Sequence, residues 1–208
     1  YQGVKHAVVA LTKIDLAVNE AASIAGVREK LRGTPFAVAP IVPTSVVSGR
    51  GIEELKVALA EEFRRTPPPR DIGKPRLPVD RAFMLRGVGT VVTGTLGGGE
   101  LTRSQAVVLQ PAGLKARIRS VQIHNREVES SGPGTRTALN LSDVALADPG
   151  HPGVARGQVV TLEEFGGPAM QLDVALSRSP RSDGPPLKHG ARVRLHHGSG
   201  NVAARVTL

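Results

Sequence analysis

The sequence predicts a multidomain chain: the closing part of a doubly wound α/β domain, then an all-β region of one barrel and a partial second one. Three observations carry this. Strand-like and helix-like segments alternate over residues 1–66, the repeat of an α/β domain. Three consecutive prolines, Pro67-Pro68-Pro69, then break the alternation and favour an extended, stiff linker. From Leu77 onward, short β-type runs follow one another at turn-sized intervals, the spacing of a closed or nearly closed barrel without free edges. The expected boundaries are 1–66 for the α/β part, 67–77 for the linker, 78–166 for the barrel and 167–208 for a truncated second β unit.

Lys5-His6-Ala7-Val8-Val9-Ala10-Leu11 is a nearly continuous apolar run, suited to a parallel strand buried on both faces. It ends in Thr12-Lys13-Ile14-Asp15. A helix is expected over residues 18–31, with Val18, Ala21, Ala22, Ala25 and Leu31 near helical spacing, Asn19 as a possible N-cap and Gly33 as the stop. A second strand falls within residues 36–42 and runs into Pro43-Thr44-Ser45. After Ser48-Gly49-Arg50-Gly51 an amphipathic helix begins at Ile52. Ile52, Leu55, Leu59 and Phe63 share one face, and Glu53, Glu54, Glu61 and Glu62 the other.

In the all-β region the strand candidates are residues 79–85, 90–96, 106–109, 114–123, 137–141 and 158–161. Gly87 and Gly89 join the first two, and residues 90–96 are rich in the β-branched side chains that favour a pleated backbone. Gly97-Gly98-Gly99, Pro111-Ala112-Gly113, Gly132-Pro133-Gly134 and the 149–153 loop supply turns. Gly166-Gly167-Pro168 marks another joint, followed by candidates at 170–176, 191–196 and 201–208.

The 208 residues contain no cysteine, so disulfides and thiolate metal sites are excluded and a reducing cytoplasm is the natural compartment. No apolar run reaches membrane-spanning length and no signal-peptide pattern opens the chain, so no membrane partner is expected. A first residue other than Met and an ending in mid-strand, Arg205-Val206-Thr207-Leu208, read as cuts from a longer chain. Only 2% of residues are aromatic, which argues against stacking platforms for single-stranded nucleic acid. The net charge of +9 is uneven: residues 1–66 hold 9 Lys/Arg against 7 Asp/Glu (+2), and residues 67–208 hold 18 against 11 (+7). The β-rich part therefore carries the excess that attracts phosphate backbones, or it is simply a soluble basic domain.

Chemistry concentrates in two places. Thr12-Lys13-Ile14-Asp15 stands at the carboxyl end of a predicted buried strand, where open α/β sheets bind ligands. An aspartate there accepts two hydrogen bonds, from the ring N–H and exocyclic amine of guanine. A site built around such bonds rejects the wrong base by leaving buried polar groups unpaired. The stem of Lys13 can lie along the base or ribose, and Ser45 ends the next strand, where backbone N–H groups could meet the guanine oxygen. The plainer reading is a helix-capping Asp15 and a loop Ser45. The second place is Asp80-Arg81. On a continuous strand Arg81 shares parity with Val79, Phe83 and Leu85, an apolar face on which a charge needs a partner or a job. A structural Arg81–Asp80 ion pair or a snorkelling arginine is the plainer alternative.

Taken together, Thr12-Lys13-Ile14-Asp15 and the later Ser45 with Ser48-Gly49-Arg50-Gly51-Ile52-Glu53-Glu54-Leu55 resemble the last two guanine-recognition motifs of the translation-factor GTPases, with Thr12 where Asn is usual. Gly89-Thr90-Val91-Val92-Thr93-Gly94-Thr95 resembles the strand that opens the second domain of elongation factor Tu and its relatives. Val79-Asp80-Arg81-Ala82-Phe83, Arg119-Ser120-Val121-Gln122-Ile123-His124-Asn125 and Gly134-Thr135-Arg136-Thr137-Ala138-Leu139-Asn140-Leu141 look like the selenocysteine-specific elongation factors, the SelB type. Lys5 to Asp15 and Arg194-Leu195-His196-His197-Gly198-Ser199-Gly200 fit that branch too. The Leu101-Thr102-Arg103-Ser104-Gln105 hairpin departs from it by lacking the usual Gly-Asp turn, and the 149–153 loop looks extended.

The resemblance implies the end of a P-loop GTPase domain followed by an elongation-factor-type β-barrel and a partial third domain. It implies GTP with Mg²⁺ as cofactor of the full-length factor, and selenocysteyl-tRNA, the ribosome and a selenocysteine-insertion messenger hairpin as partners, the last through C-terminal modules not in this sequence. Thr12, Lys13, Asp15 and Ser45 map to guanine recognition. Asp80, Arg81 and Arg136 map to a pocket for the selenocysteyl group, with Arg81 and Arg136 facing the selenolate and Asp80 orienting them or touching the aminoacyl group. No Gly-x-x-x-x-Gly-Lys-Ser/Thr pattern occurs, so the Mg²⁺ ligands, the switches and any GTPase activity are expected upstream. The alternative within the superfamily is a general aminoacyl-tRNA carrier or an initiation-factor subunit, which needs no pair of guanidinium groups. A β-barrel scaffold with a decayed GTPase remnant is a third. No catalytic residue is assigned. His196-His197 does not suit a metal, since adjacent strand residues point to opposite faces and no cluster completes a site. His124 reads as structural or near the tRNA acceptor end. Arg117, Arg119 and Arg126 read as phosphate contacts or a solvated face.

Overall fold

A computed structural model describes residues 4–178 and 184–208. The chain divides into two compact units, with the break between Pro67 and Pro68.

In the first unit, β1 (Val9–Leu11) pairs in parallel with β2 (Ile41–Pro43), Val9 opposite Ile41 and Leu11 opposite Pro43. Between them α1 (Glu20–Leu31) starts where Asn19 accepts a hydrogen bond from the N–H of Ala22 at 2.9 Å, the N-cap expected from the sequence. β2 begins later than its apolar run. Arg28 donates to the carbonyls of Ala37 (2.9 Å) and Ala39 (2.8 Å), holding that segment in turns instead of a ladder. α2 (Ile52–Arg65) begins at the predicted residue. Its apolar side is largely uncovered in this chain: Phe63 is 72% exposed.

The second unit is a curled eight-stranded sheet. Along it lie β3 (Arg76–Pro78), β12 (Val159–Thr161), β7 (Ala106–Gln110), β8 (Leu114–Ile123), β11 (Arg136–Ser142), β5 (Gly89–Thr95) and β4 (Arg81–Leu85), with β9 (Arg126–Val128) paired to β8. β6 (Leu101–Thr102) and β10 (Ser130–Ser131) form a small separate pair. The ends of the path, β3 and β4, are joined by Val79 and Asp80 alone, so the sheet has to curl back on itself. The interior is apolar and fully buried: Leu77, Val79, Val92, Leu109, Ile118, Val121, Leu139 and Val160 are 0% exposed. The burial of these side chains is the main stabilising term of this unit.

Two local features re-aim side chains. The β8–β11 register runs Asn140 opposite Ser120 and then Leu141 opposite Ile118, so Arg119 is the extra residue of a β-bulge. Ile118 and Val121 therefore both point inward while Arg117 and Arg119 are both exposed. His124 (φ 50) and Asn125 (φ 61) form the two-residue turn between Ile123 and Arg126, both in the left-handed conformation that such hairpins require.

The proline-rich segment does not end as a free spacer. From Ile72 it is strapped to the barrel: Ile72 and Lys74 donate to the carbonyl of Gly98 (3.0 and 2.7 Å), and Arg76 exchanges hydrogen bonds with Gly97. Residues 170–176 form no strand. Among the described residues they pair with nothing, and Met170 is 96% exposed, so the apolar alternation that suggests a strand there finds no partner ladder. β13 (Arg192–His197) and β14 (Gly200–Arg205) form an antiparallel ribbon. Ser199 at its turn donates to the carbonyl of Val79 at 2.6 Å.

Candidate functional site

The first site lies at the carboxyl ends of β1 and β2. The parallel register makes the two strand ends neighbours, and the backbone stitches them beyond the strands. Thr44 donates to the carbonyl of Leu11 (2.8 Å), and Ile14 donates to that of Thr44 (3.1 Å). Lys13 sits in the left-handed region (φ 58), turning the chain so that Ile14 is buried and Thr12, Lys13 and Asp15 are presented at the surface. Ser45 is buried, at 1% exposure. Its own N–H is committed to the carbonyl of Arg50 at 3.0 Å, and its hydroxyl accepts from the N–H of Ser48 at 3.3 Å. Ser45 therefore shapes the loop. The N–H groups of Val46 and Val47, which hold no hydrogen bond among the described residues, are the ones open to a ligand oxygen. Gly51 (φ 74) closes the loop against Pro43: a Cβ there would stand 1.9 Å from the carbonyl oxygen of Pro43. The four residues marked by sequence are thus brought to one end of one small sheet, and the exposed Asp15 carboxylate makes no hydrogen bond or ion pair among the described residues.

The second site is on the outer face of the barrel. The strand does not run unbroken from Val79 to Leu85. A bend at Asp80 separates β3 from β4, and parity is lost there. Val79 is in the core, and Arg81 is exposed instead of sharing its face, which corrects the alternation argument from sequence. β5 sets the geometry. Thr93 pairs with Arg81 of β4 on one side, and Thr95 pairs with Arg136 of β11 on the other. Arg136 forms an ion pair with Asp80 Oδ2 and contacts the hydroxyl of Thr95 at 3.3 Å. The hydroxyl of Thr93 donates to Asp80 Oδ1 at 2.8 Å. The hydrogen bond from the Arg136 guanidinium holds the Asp80 carboxyl below the usual carboxylate range against the opposing effect of partial burial, and Asp80 raises Arg136 in return. Among the described residues Arg81 makes no ion pair. Asp80, Arg81, Ala82 and Phe83 line a shallow groove with Leu146, Val154 and Arg156. The three residues marked by sequence meet here: Asp80 and Arg136 as a pair, and beside it Arg81, which makes no ion pair among the described residues but acts on Asp80 through space.

Sequence reasoning missed Thr93 and Thr95, which read there as strand formers only. It placed the two strands of the ribbon but missed the basic face they share. In its register Arg192 faces Arg205 and Arg194 faces Ala203, while His196 faces Asn201. Strand alternation therefore puts Arg192, Arg194, Arg205 and His196 on one exposed face. The Arg-x-Arg-x-His spacing was the available signal. Of the three arginines proposed for phosphate, Arg117 donates to the carbonyl of Ser104 at 2.7 Å, while Arg119 and Arg126 are exposed.

No profile of a known protein family matches the chain. Over 98% of its length it is 36% identical to the selenocysteine-specific elongation factor of Desulfomicrobium baculatum, of which it spans 32%. It is 31% identical over 88% of its length to the factor of that name from Escherichia coli strain K12, spanning 28% of it. The crystal structure of a bacterial selenocysteine-specific elongation factor, EF-Sec, matches with a TM-score of 0.79 at 27% identity, covering 100% of this chain and 34% of that one. The chain spans about a third of the length of the curated relatives it matches. Along that third, in sequence and in fold, it is a homologue of the selenocysteine-specific elongation factors.

Proposed function

We propose that the chain is the segment of a GTP-dependent elongation factor that carries the guanine end of the nucleotide site, the pocket for the charged amino acid and part of the tRNA surface. The factor delivers selenocysteyl-tRNA to the ribosome, and its contact with a messenger hairpin lies outside these residues. The domain partition that goes with this is a GTPase part over residues 1–66, a linker over 67–77, a second domain over 78–166 and the start of a third from 167.

One observation carries the reading: a held Asp80–Arg136 pair and, beside it on the same barrel face, Arg81, which makes no ion pair among the described residues. A selenol is more acidic than a thiol, so selenocysteine is largely anionic at neutral pH, whereas serine is neutral. Fixed guanidinium groups tell the two apart electrostatically, with rigid donor geometry. Asp80 cancels much of the charge of Arg136 and fixes its orientation, and Arg81 supplies the excess positive charge. A general carrier has no use for this asymmetry.

At the other site the residues present fit the base of GTP. Asp15 is an exposed carboxylate at the strand end, Lys13 stands beside it and the N–H groups of Val46 and Val47 are open. Bound GTP with Mg²⁺ supplies the switch that hydrolysis reverses in such factors. The 208 residues contain no phosphate-loop pattern, so this segment holds the base and contributes no hydrolytic step by itself.

The test is Arg136→Ala in a full-length factor carrying these residues. Affinity for selenocysteyl-tRNA drops by about tenfold or more, the worth of one charge-assisted hydrogen bond, while affinity for seryl-tRNA changes little. Equal losses for both cargoes, measured by filter binding or fluorescence, sink the pocket.

A further inference from the structure

We infer that Thr93 and Thr95, alternate residues on the outer face of β5, are positioning residues for the Asp80–Arg136 pair and so set the charge that the cargo meets. The inference rests on the cargo-pocket reading for its functional meaning, but its geometry stands alone.

Asp80 lies in a bend outside any strand, where the ladder does not fix it. It is tied instead to a single residue of β5, twice. Its N–H donates to the carbonyl of Thr93 at 2.9 Å, and the hydroxyl of Thr93 donates back to its Oδ1 at 2.8 Å. The two carboxylate oxygens are thereby divided: Oδ1 faces the threonine and Oδ2 faces Arg136. On the other side one guanidinium nitrogen of Arg136, Nη1, donates both to Asp80 Oδ2 and to the hydroxyl of Thr95, the latter at 3.3 Å. Threonine suits this task, because the β-branch that favours a strand also stiffens χ1 and keeps the hydroxyl on the outer face. Two residues apart on one strand, the hydroxyls serve the carboxylate and the guanidinium separately. Gly94 between them points into the core, where a Cβ would lie 2.3 Å from the carbonyl of Pro78 and 2.8 Å from the Leu77 side chain. The strand has no slack there for the two rungs to shift.

The chemical consequence is a division of labour. With Thr93 in place the Asp80 carboxylate is turned to Arg136, and Arg81 makes no ion pair among the described residues. Without the hydroxyl, Oδ1 loses its anchor and the carboxylate is oriented by the Arg136 contact alone, with Arg81 also attracting it. The positive charge at the groove then becomes diffuse, and discrimination between an anionic and a neutral side chain weakens.

The rival view is that both threonines are there only for β-propensity and shape. Thr93→Val keeps shape and propensity and removes the hydroxyl; Thr93→Ser keeps the hydroxyl and removes the methyl. The first readout is the titration of the Asp80 carboxyl, followed by carbon NMR on the 208-residue chain. Thr93→Val moves the midpoint upward toward the ordinary carboxylate value, and Thr93→Ser leaves it near the parent's. Thr95→Val, at an exposed position, gives a second upward shift by loosening Arg136. An unmoved midpoint in Thr93→Val, or equal movement in valine and serine variants, overturns the inference. The second readout is cargo preference in a full-length factor. Thr93→Val narrows the preference for selenocysteyl- over seryl-tRNA by about threefold to tenfold, the worth of one ordinary hydrogen bond, because the hydroxyl acts on the cargo only through Asp80. If the midpoint moves as described but preference does not, the positioning role stands and the cargo-pocket reading falls.

Discussion

Lys13 spends conformational energy, on the order of 1 kcal/mol, to occupy the left-handed region with a side chain that prefers to avoid it. The cost brings Ile14 into the interior and leaves Asp15 facing outward, with no hydrogen bond or ion pair among the described residues. On the proposed reading, this carboxylate accepts from the paired N–H donors of guanine. Asp15→Asn converts one acceptor to a donor, so base preference in a full-length factor shifts from guanosine toward xanthosine triphosphate. Competition binding with the two nucleotides checks this, and unchanged selectivity removes Asp15 from the site. Asp80 is the opposite case, a carboxylate already taken. Its pKa in the folded chain lies below the ordinary 3.8, so its pairing adds stability above that pH and loses it as pH falls through the lowered value. The stability difference between the parent chain and Asp80→Asn is therefore constant near neutrality and shrinks below about pH 4 in denaturant titrations. A difference that holds constant to pH 2 contradicts the pair. Of these residues, Asp15 was legible in the sequence because a strand end with that tetrapeptide limits where the carboxylate can be. Arg81 was placed on the wrong face, because a bend at one residue resets the parity of everything after it.

At the scale of elements, β5 does the most. Val92 and Gly94 face the core and Thr93 and Thr95 the outer face, while its register places Arg81 on one flank and Arg136 on the other. The two arginines are 55 residues apart in sequence, and only the pairing of β4 and β11 to a common strand makes them neighbours. The strap after the prolines is a second such element. Composition alone makes it a stiff spacer, whereas the carbonyl of Gly98 takes the N–H groups of both Ile72 and Lys74. Gly98 is at φ 74 and a Cβ there would meet the carbonyl of Lys74 at 2.5 Å. Gly98→Ala thus costs about 1 kcal/mol or more from the backbone conformation, and steric conflict adds to it. The expected outcome is faster hydrogen exchange at Ile72 and Lys74 with protection retained at β5 and β8. Uniform loss across the barrel, or no change at the strap, contradicts this account. The bulge at Arg119 belongs here too, because an extra residue in one strand is invisible in a one-dimensional alternation until its partner is known.

At the scale of the molecule, charge is divided unevenly, with +7 of the net +9 in the second half. Exposed Arg119 and Arg126 on the barrel and the Arg192, Arg194, Arg205 face of the ribbon are where that excess is displayed. Binding of tRNA by a full-length factor accordingly weakens steeply with salt, with a log–log slope of about 0.7 to 0.9 per phosphate neutralised. Arg194→Ala lowers the slope by about one without changing cargo preference, in a salt titration of binding. A flat response contradicts the role of the basic half.

The order α/β then all-β, the position of both helices and most barrel strands were determined by the sequence by itself, because apolar periodicity and turn residues act locally and each stretch carries its own signal. The guanine-type tetrapeptide and the Asp80-Arg81 pair were visible for the same reason. Who pairs with whom was decided only by the tertiary structure. Asp80 finds Arg136 and Thr93, Arg81 loses its apolar face, and residues 170–176 stay without a ladder. Each of these depends on contacts between residues distant in the chain. Such contacts are fixed by the closure of the sheet around one core, which no local pattern encodes.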